Sequence, residues 1–348
     1  MRRLSIATAA LLGIVVSAQR TEAQGLTFSL FERYLESFRV EANIPGLSAL
    51  IVQNSVVVWE HGFGRRDVES GAAAMPDTPY MIGGLSQMFG ATLLLRKCVD
   101  QWGAQLDDPV SMRSASYAEP QTTLRQLLSH TTSDGGGFQY SLSRFAALTP
   151  VIERCAQTSY RSVLVSEILD RFAMQDSAPD QLSATSDSPF DAGHRARYSD
   201  VISRMAVPYR IASGRPQRSS EPASRSVDAA DGIISSVRDL ARFDNALLAN
   251  AMLAPATRNA AWTQARAGSA PLPTGLGWFV QEYHGEPIVW QFGLIRGGHS
   301  AIIVKAPNSG LTFIALANSD GLNSPFALES GDVTSSLFAT LFLRLFLP

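Results

Sequence analysis

DTPYMIGGLSQMFGATLLL, residues 77–95, is the stretch on which the reading of this chain turns. From Gly84 to Gly103 its apolar residues recur with helical period, so a long buried helix is expected to open near Gly84. The segment carries one serine, Ser86, and its place on that helix bears on whether the chain can do nucleophilic chemistry. On both sides the pattern differs. Upstream, residues 28–46 (FSLFERYLESFRVEANIPG) read as an amphipathic helix stopped by Pro45-Gly46, followed by two strands, 47–54 and 55–64, joined at Asn54 as a hairpin. Downstream, helical spacing dominates to about Ala212. In FAALTPVIERC, residues 145–155, the side chains of Phe145, Leu148, Ile152 and Cys155 line one face. Residues 219–226 (SSEPASRS) read as a loop, and 235–253 as a helix capped by Ser235 or Ser236. From Leu276 the period shortens to that of strands: LGWFVQEY, EPIVWQFG, SAIIVKAP and LTFIALAN, separated by short turns that force antiparallel pairing. The expected architecture is α/β (α+β). One antiparallel sheet is built from both ends of the chain, terminal helices cover it, and a helical lobe is inserted between. The sheet lobe spans about 28–77 and 213–348, and the helical lobe about 78–212.

The chain has 348 residues, 45% of them apolar and 17% charged, with a net charge of −2. That is ample for a large core, and the absence of basic or acidic runs argues against nucleic acid or an anionic membrane as partner. Residues 1–23 read as a signal peptide: Arg2 and Arg3, an apolar run from Leu4 to Val16, then small residues with cleavage after Ala18 or Ala23. That run is shorter than the ~20 residues a bilayer span needs. The C-terminal run SSLFATLFLRLFL, which contains Arg344, is also too short and reads as a buried helix, so no stable membrane span is expected in residues 24–348. Cys98 and Cys155 would form one disulfide or remain two buried thiols. His61, His130, His194, His284 and His299 show no metal-ligand spacing, and neither a metal nor another cofactor is expected.

Seven segments together resemble the serine β-lactamase and penicillin-binding-protein superfamily, most closely its esterase-like branch near the class C enzymes. They are residues 77–95, 106–110 (LDDPV), 123–133 (TLRQLLSHTTS), 168–179 (ILDRFAMQDSAP), 235–243 (SSVRDLARF), 275–280 (GLGWFV) and 313–322 (FIALANSDGL). They occur in the family's order. The resemblance implies a β-lactamase/transpeptidase-like fold. Its chemistry uses a Ser-x-x-Lys pair on one helix face, a Tyr-x-Asn stretch from the helical lobe, and a Lys-Thr-Gly or His-x-Gly triplet on a strand, with two backbone N–H groups as oxyanion donors.

Placed on that pattern, the nucleophile position is Gly84 and the lysine position Gln87. Ser86 matches a second, non-catalytic hydroxyl, about 200° around the helix from position 84. Tyr140, in FQYSLSRFAALTPVIE, takes the tyrosine place and Leu142 that of the asparagine. Tyr198, in ARYSD, mimics the triplet but follows the 168–179 turn where the family's tyrosine precedes it. Gln291 replaces the strand's histidine. Gly293 is kept, and Leu294 would supply the second oxyanion N–H. The resemblance therefore implies a secreted family member whose acyl-transfer site is degenerate and whose cleft retains a small-molecule or peptide ligand. Two other readings stay open: a working hydrolase using another nucleophile or a water held by Gly84, Gln87 and Tyr140, and an interaction or structural protein. Nothing in the residue pattern sets the oligomeric state or names the ligand.

Overall fold

The computed structural model describes residues 25–347 apart from 115, 116, 120, 135 and 221–225; the expected leader, residues 1–23, lies outside them. A seven-stranded sheet runs in the order Phe279–Tyr283, Glu286–Leu294, Ser300–Ala306, Leu311–Ala317, Gly46–Gln53, Val56–Asp67, Ala72–Ala73. Every neighbouring pair is antiparallel. The first strand pairs with the last, from Leu47↔Ala317 to Gln53↔Leu311, so both ends of the chain share one sheet. Asn54 and Ser55 close the first hairpin with φ of 50° and 67°, the left-handed pair that matches strand twist in a two-residue loop.

Both faces of the sheet are buried, and the period of two sorts its side chains. Ala49, Ile51, Phe313 and Ala315 pack with Phe31 and Leu35 of the 25–41 helix and with Phe338 and Phe342 of the Leu337–Phe346 helix. Leu50, Val52, Ile314 and Leu316 face the other way, into a core shared with Met88, Leu94 and the inserted segment. The C-terminal apolar run is thus a covering helix. Among the described residues no helix is long and apolar enough to cross a membrane.

The insertion begins as one winding rod: a 3-10 turn Gly83–Ser86, an α-helix Gln87–Leu94 and a π-helical stretch Leu95–Gln101. Its entry is tied down by Tyr80–Met81, which pairs antiparallel with Ile234–Ser235. Residues 145–155 do not form the single helix that their spacing suggests. The chain makes Leu142–Ala146 and then Thr149–Ala156, because Pro150 has no N–H to donate back and so sits in the first turn of a new helix. Phe145, Leu148, Ile152 and Cys155 are still all buried. Cys155 is disulfide-bonded to Cys98, with Cα atoms 5.3 Å apart, which decides between a disulfide and two thiols and pins the rod to the Thr149–Ala156 helix. Ser236, rather than Ser235, caps the Val237–Leu248 helix by accepting from Asp239 N–H at 3.2 Å.

One charged pair lies inside this core. Lys305 and Asp244, 1% and 0% exposed, are ion-paired, and Asp244 also accepts from the Thr312 hydroxyl at 2.8 Å. The ammonium stands 4.4 Å from the Trp262 ring centroid. Burial pushes the Lys305 pKa down while Asp244 opposes the shift. Removing one partner strands the other in a low dielectric. Asp244→Ala should therefore lower unfolding free energy by about 3–5 kcal/mol, and Lys305→Met with Asp244→Leu by much less. Urea melts of the three proteins test this; a single variant no worse than the double would refute it.

Candidate active site

The contact between the Glu286–Leu294 strand and the turn at residues 82–84 forms the site. At Gly293 a Cβ would lie 1.8 Å from the Ile82 carbonyl oxygen, so only glycine lets the strand come this close. Gly83 has φ +53°, and its Cβ position is 3.2 Å from Leu294 N. In the pairing Gly293↔Ala301 and Leu294↔Ser300, Ile295 N–H donates to His299 O at 2.8 Å. Alternation then turns the Leu294 N–H away from the Ser300–Ala306 strand, on the side of the Gly83–Ser86 turn. Gly84 sits in the first turn of the rod, where backbone N–H groups are not used within the helix. Gly84 and Leu294 thus both present backbone N–H groups beside the Gly83–Ser86 turn, where position 84 holds no side chain.

What borders that position is the tyrosine. A Cβ on Gly84 would lie 2.8 Å from the Tyr140 hydroxyl and 3.3 Å from Leu142 Cδ2. The Tyr140 ring is wedged among His130, Phe292 and Phe279, at centroid distances of 4.7, 5.3 and 5.8 Å. Burial raises its pKa, and the Asp231 and Glu329 carboxylates raise it further, so it stays a neutral phenol. Among the described residues its hydroxyl has no hydrogen-bond partner. Tyr198 lies elsewhere, on the Ala192–Arg204 helix, accepting from Arg197 at 3.0 Å and packed on Phe190.

Gln87 and Gln291 meet although 204 residues separate them. Gln291 Nε2 donates to Gln87 Oε1 at 3.1 Å and to Gly277 O at 3.2 Å, and Gln291 Oε1 accepts from Phe292 N–H. His130 is the third member. Its Nδ1 accepts from Ser141 N–H at 3.2 Å, which leaves the proton on Nε2, 3.3 Å from Gln87 Oε1. One amide oxygen therefore takes two donors, and Gln87 Nε2 is left buried without a partner. Ser86 takes no part: it is fully buried, and its hydroxyl accepts from Ile233 N–H at 3.4 Å. Sequence reasoning placed His130 inside a landmark but assigned it no role. Nothing in its local spacing announces a contact with residue 87.

Gly84, Tyr140, Leu142, Phe292 and Leu294 line a cleft of about 180 Å³, with Arg296 and Glu329 also on its lining. These last two come from turns to which the sequence assigned no role. Two larger grooves, of about 500 Å³ each, flank the Val56–Asp67 strand away from this site. Among the described residues no cluster of His, Cys, Asp or Glu could hold a metal ion. The arrangement can accept a carbonyl or carboxylate oxygen and a small apolar group. Positions 84 and 87 themselves carry neither a side-chain hydroxyl nor an amine.

His130 and His299 are held neutral. Burial, and for His130 also the Arg144 charge, pushes their pKa values from 6.5 to about 3 and about 4. The unfolded chain binds these protons first, so stability should be intact above about pH 6.5 and fall below it. Each histidine should contribute a slope of up to about 1.4 kcal/mol per pH unit down to its folded pKa. Denaturant melts across that range should show the loss, with a shallower slope in His130→Asn; an unchanged slope would refute the assignment.

The comparisons with known proteins bear on the fold. The chain matches the family model described as Beta-lactamase over residues 29–334. The octameric penicillin-binding protein homologue from Pyrococcus abyssi superposes with a TM-score of 0.74 at 20% identity, covering 91% of this chain and 77% of that one. A class C beta-lactamase from Rhodobacter sphaeroides gives 0.67 at 19% identity, covering 90% and 99%. The D-amino acid amidase from Ochrobactrum anthropi SV3, complexed with D-phenylalanine, gives 0.67 at 17%, covering 91% and 98%. No curated protein matches by sequence. Such identities speak for the fold alone. With the family model spanning most of its length, the chain belongs to the beta-lactamase family of serine hydrolase folds.

Proposed function

We propose that this chain is an exported member of the family that binds a ligand in its cleft without acylating. The observation that carries this reading is the Tyr140 hydroxyl, 2.8 Å from where a serine's Cβ would begin at position 84. The tyrosine hydroxyl stands against the nucleophile position and would have to give way to a side chain there. Beside it, the lysine position holds a neutral amide whose oxygen is taken by His130 and Gln291. Loss of a nucleophile or its base alone costs on the order of 10⁶ in rate in a serine hydrolase, and here both are gone. The intact Gly293 contact and the two N–H groups support a cleft still built to receive an oxygen. Export is supported by the character of residues 1–23 and by the Cys98–Cys155 disulfide, a bond that persists in oxidising compartments. The mature chain should then begin at Gln19 or Gln24, and N-terminal sequencing of extracytoplasmic protein checks this.

The chemistry has a direct test. Nitrocefin, p-nitrophenyl esters and a fluorophosphonate should give no burst and no mass adduct with the wild type. Gly84→Ser alone should stay silent, because the Tyr140 ring must move aside and no base is present. Gln87→Lys alone should also stay silent. It deprives His130 and Gln291 of their shared acceptor and buries an ammonium, costing about 2–4 kcal/mol of stability. Only the double variant is expected to acylate, because the two groups act as a unit. A covalent adduct on any wild-type serine would overturn the proposal.

A further inference from the structure

The helix Ala192–Arg204 is docked by its ends more than by its length. Of its 13 residues only Tyr198 and Val201 are buried, so little apolar area holds it down and polar contacts carry the docking. At the C-terminal end those contacts are many. Ala206 N–H donates to Pro79 O at 2.9 Å and Val207 N–H to Arg66 O at 2.8 Å. The Arg204 guanidinium is paired with Asp176 and Asp200, and the buried His299 ring donates from Nε2 to Ala206 O at 3.0 Å. At the N-terminal end the link to the neighbouring segment runs through one carboxylate, Asp170, which takes His194 on one oxygen and Arg197 on the other.

His194 has a carboxylate oxygen at each ring nitrogen. Nδ1 stands 2.9 Å from Asp191, the N-cap of the same helix, whose other oxygen accepts from the His194 backbone N–H at 2.9 Å. Nε2 stands 3.0 Å from Asp170, which ends the Val165–Leu169 stretch. Arg197 holds the second Asp170 oxygen at 2.7 Å. The Phe190 and Tyr198 rings flank the imidazole at centroid distances of 5.7 and 6.0 Å. The charged and titratable groups facing His194 are thus Asp170, Asp191, Arg197 and Tyr198. A carboxylate only accepts, so the two contacts are made together only while both ring nitrogens carry a proton. The hydrogen bonds to Asp170 and then Asp191 accordingly hold the His194 pKa above its ordinary 6.5, against the burial that lowers it. The opposite end of the helix is held by a histidine in the other state: burial keeps His299 neutral, with its pKa pushed down to about 4.

We propose that His194 is a proton-operated latch, which ties the N-terminal half of this helix to Asp170 and releases it when one ring proton leaves. A neutral imidazole keeps a single N–H, so one of its two carboxylates then faces a bare nitrogen, lone pair against lone pair. Asp191 stays with the helix as its cap, so the contact that opens is the one to Asp170, where Arg197 alone remains. The folded pKa lies above the unfolded one. The latch is therefore whole below about pH 6.5 and is lost as pH rises through the folded pKa. His299 does not titrate over that range, so the helix loosens from its N-terminal end about a fixed C-terminal end. The latch belongs to the helical lobe and operates whether or not the cleft acylates.

Two measurements on the mature chain test this: an NMR titration of the His194 ring, and hydrogen exchange corrected for its intrinsic pH dependence, from about pH 6 to about pH 9. The ring should titrate with a midpoint above 6.5. From about pH 6.5 upward, protection of residues 195–201 should fall by up to about tenfold per pH unit until the folded pKa is passed. Residues 151–156, in the same lobe, should keep theirs. His194→Gln, neutral at every pH, should exchange in this helix at about pH 6 as fast as the wild type does at the alkaline end, with no pH step. Asp170→Asn should bring the His194 midpoint down toward 6.5 and shrink the step, and His284→Gln, in a remote turn, should change neither. A wild-type midpoint at or below 6.5 would overturn the inference and needs no variant to fold. Helix protection that stays flat across the range, or a step that survives His194→Gln, would overturn it as well.

Discussion

The approach of Gly293 to Ile82 is the constraint on which the rest of this molecule depends. A strand of the sheet and a turn of the inserted segment touch so closely that a single methyl group at residue 293 would lie 1.8 Å from a carbonyl oxygen. That contact sets the separation of the two halves. It places Leu294 N–H beside the Gly83–Ser86 turn and brings Gln291 within hydrogen-bond reach of Gln87. Gly83, held at positive φ, completes the seam from the other side. A side chain larger than hydrogen at residue 293 would pry the seam open and separate the groups that make the cleft.

Across that seam the side chains meet through neutral hydrogen bonds. The amide of Gln87 accepts from an imidazole and from a second amide, and His130 is fixed in one tautomer by Ser141 N–H. In a dry interior such a network avoids the desolvation cost that a lysine ammonium would carry. It leaves one nitrogen, Gln87 Nε2, unsatisfied. The same interior tolerates a full ion pair at Lys305 and Asp244. The neutrality of the seam therefore does not follow from an inability of this core to hold charge. It reflects which residues stand there.

The cleft that results is dominated by shape and by its two charged residues. Tyr140 borders Gly84, so the floor is aromatic and aliphatic, and Arg296 and Glu329 line the cleft from turns outside the rod. Binding and acyl transfer, which share one set of groups in a serine hydrolase, are separable in such a site. On the function proposed above, the N–H groups and the apolar wall would serve binding without a nucleophile and its base.

Much of this was legible in the chain itself. Hydrophobic period two in residues 47–64 and 276–318, and helical period between them, determined a sheet made from both ends with a helical insertion, because those spacings leave one way to bury both faces. The resemblance carried by seven short segments, with the separate stretches around Tyr140 and Gln291, pointed to Gly84, Gln87, Tyr140, Leu142, Gln291, Gly293 and Leu294 as candidate site positions. Only the tertiary structure decided what those positions touch. That Tyr140 fills the space beside Gly84, that His130 and Gln291 share one acceptor on Gln87, and that Cys98 reaches Cys155 are contacts across tens to hundreds of residues. The split at Pro150 was visible in composition, yet the burial of Phe145, Leu148, Ile152 and Cys155 disguised it as one helix face. Arg296 and Glu329 carry no local signal at all. A charged residue in a turn reads as solvated surface until the fold places an apolar wall beside it, because a sequence records spacing along the chain, whereas a site is made by distances through space.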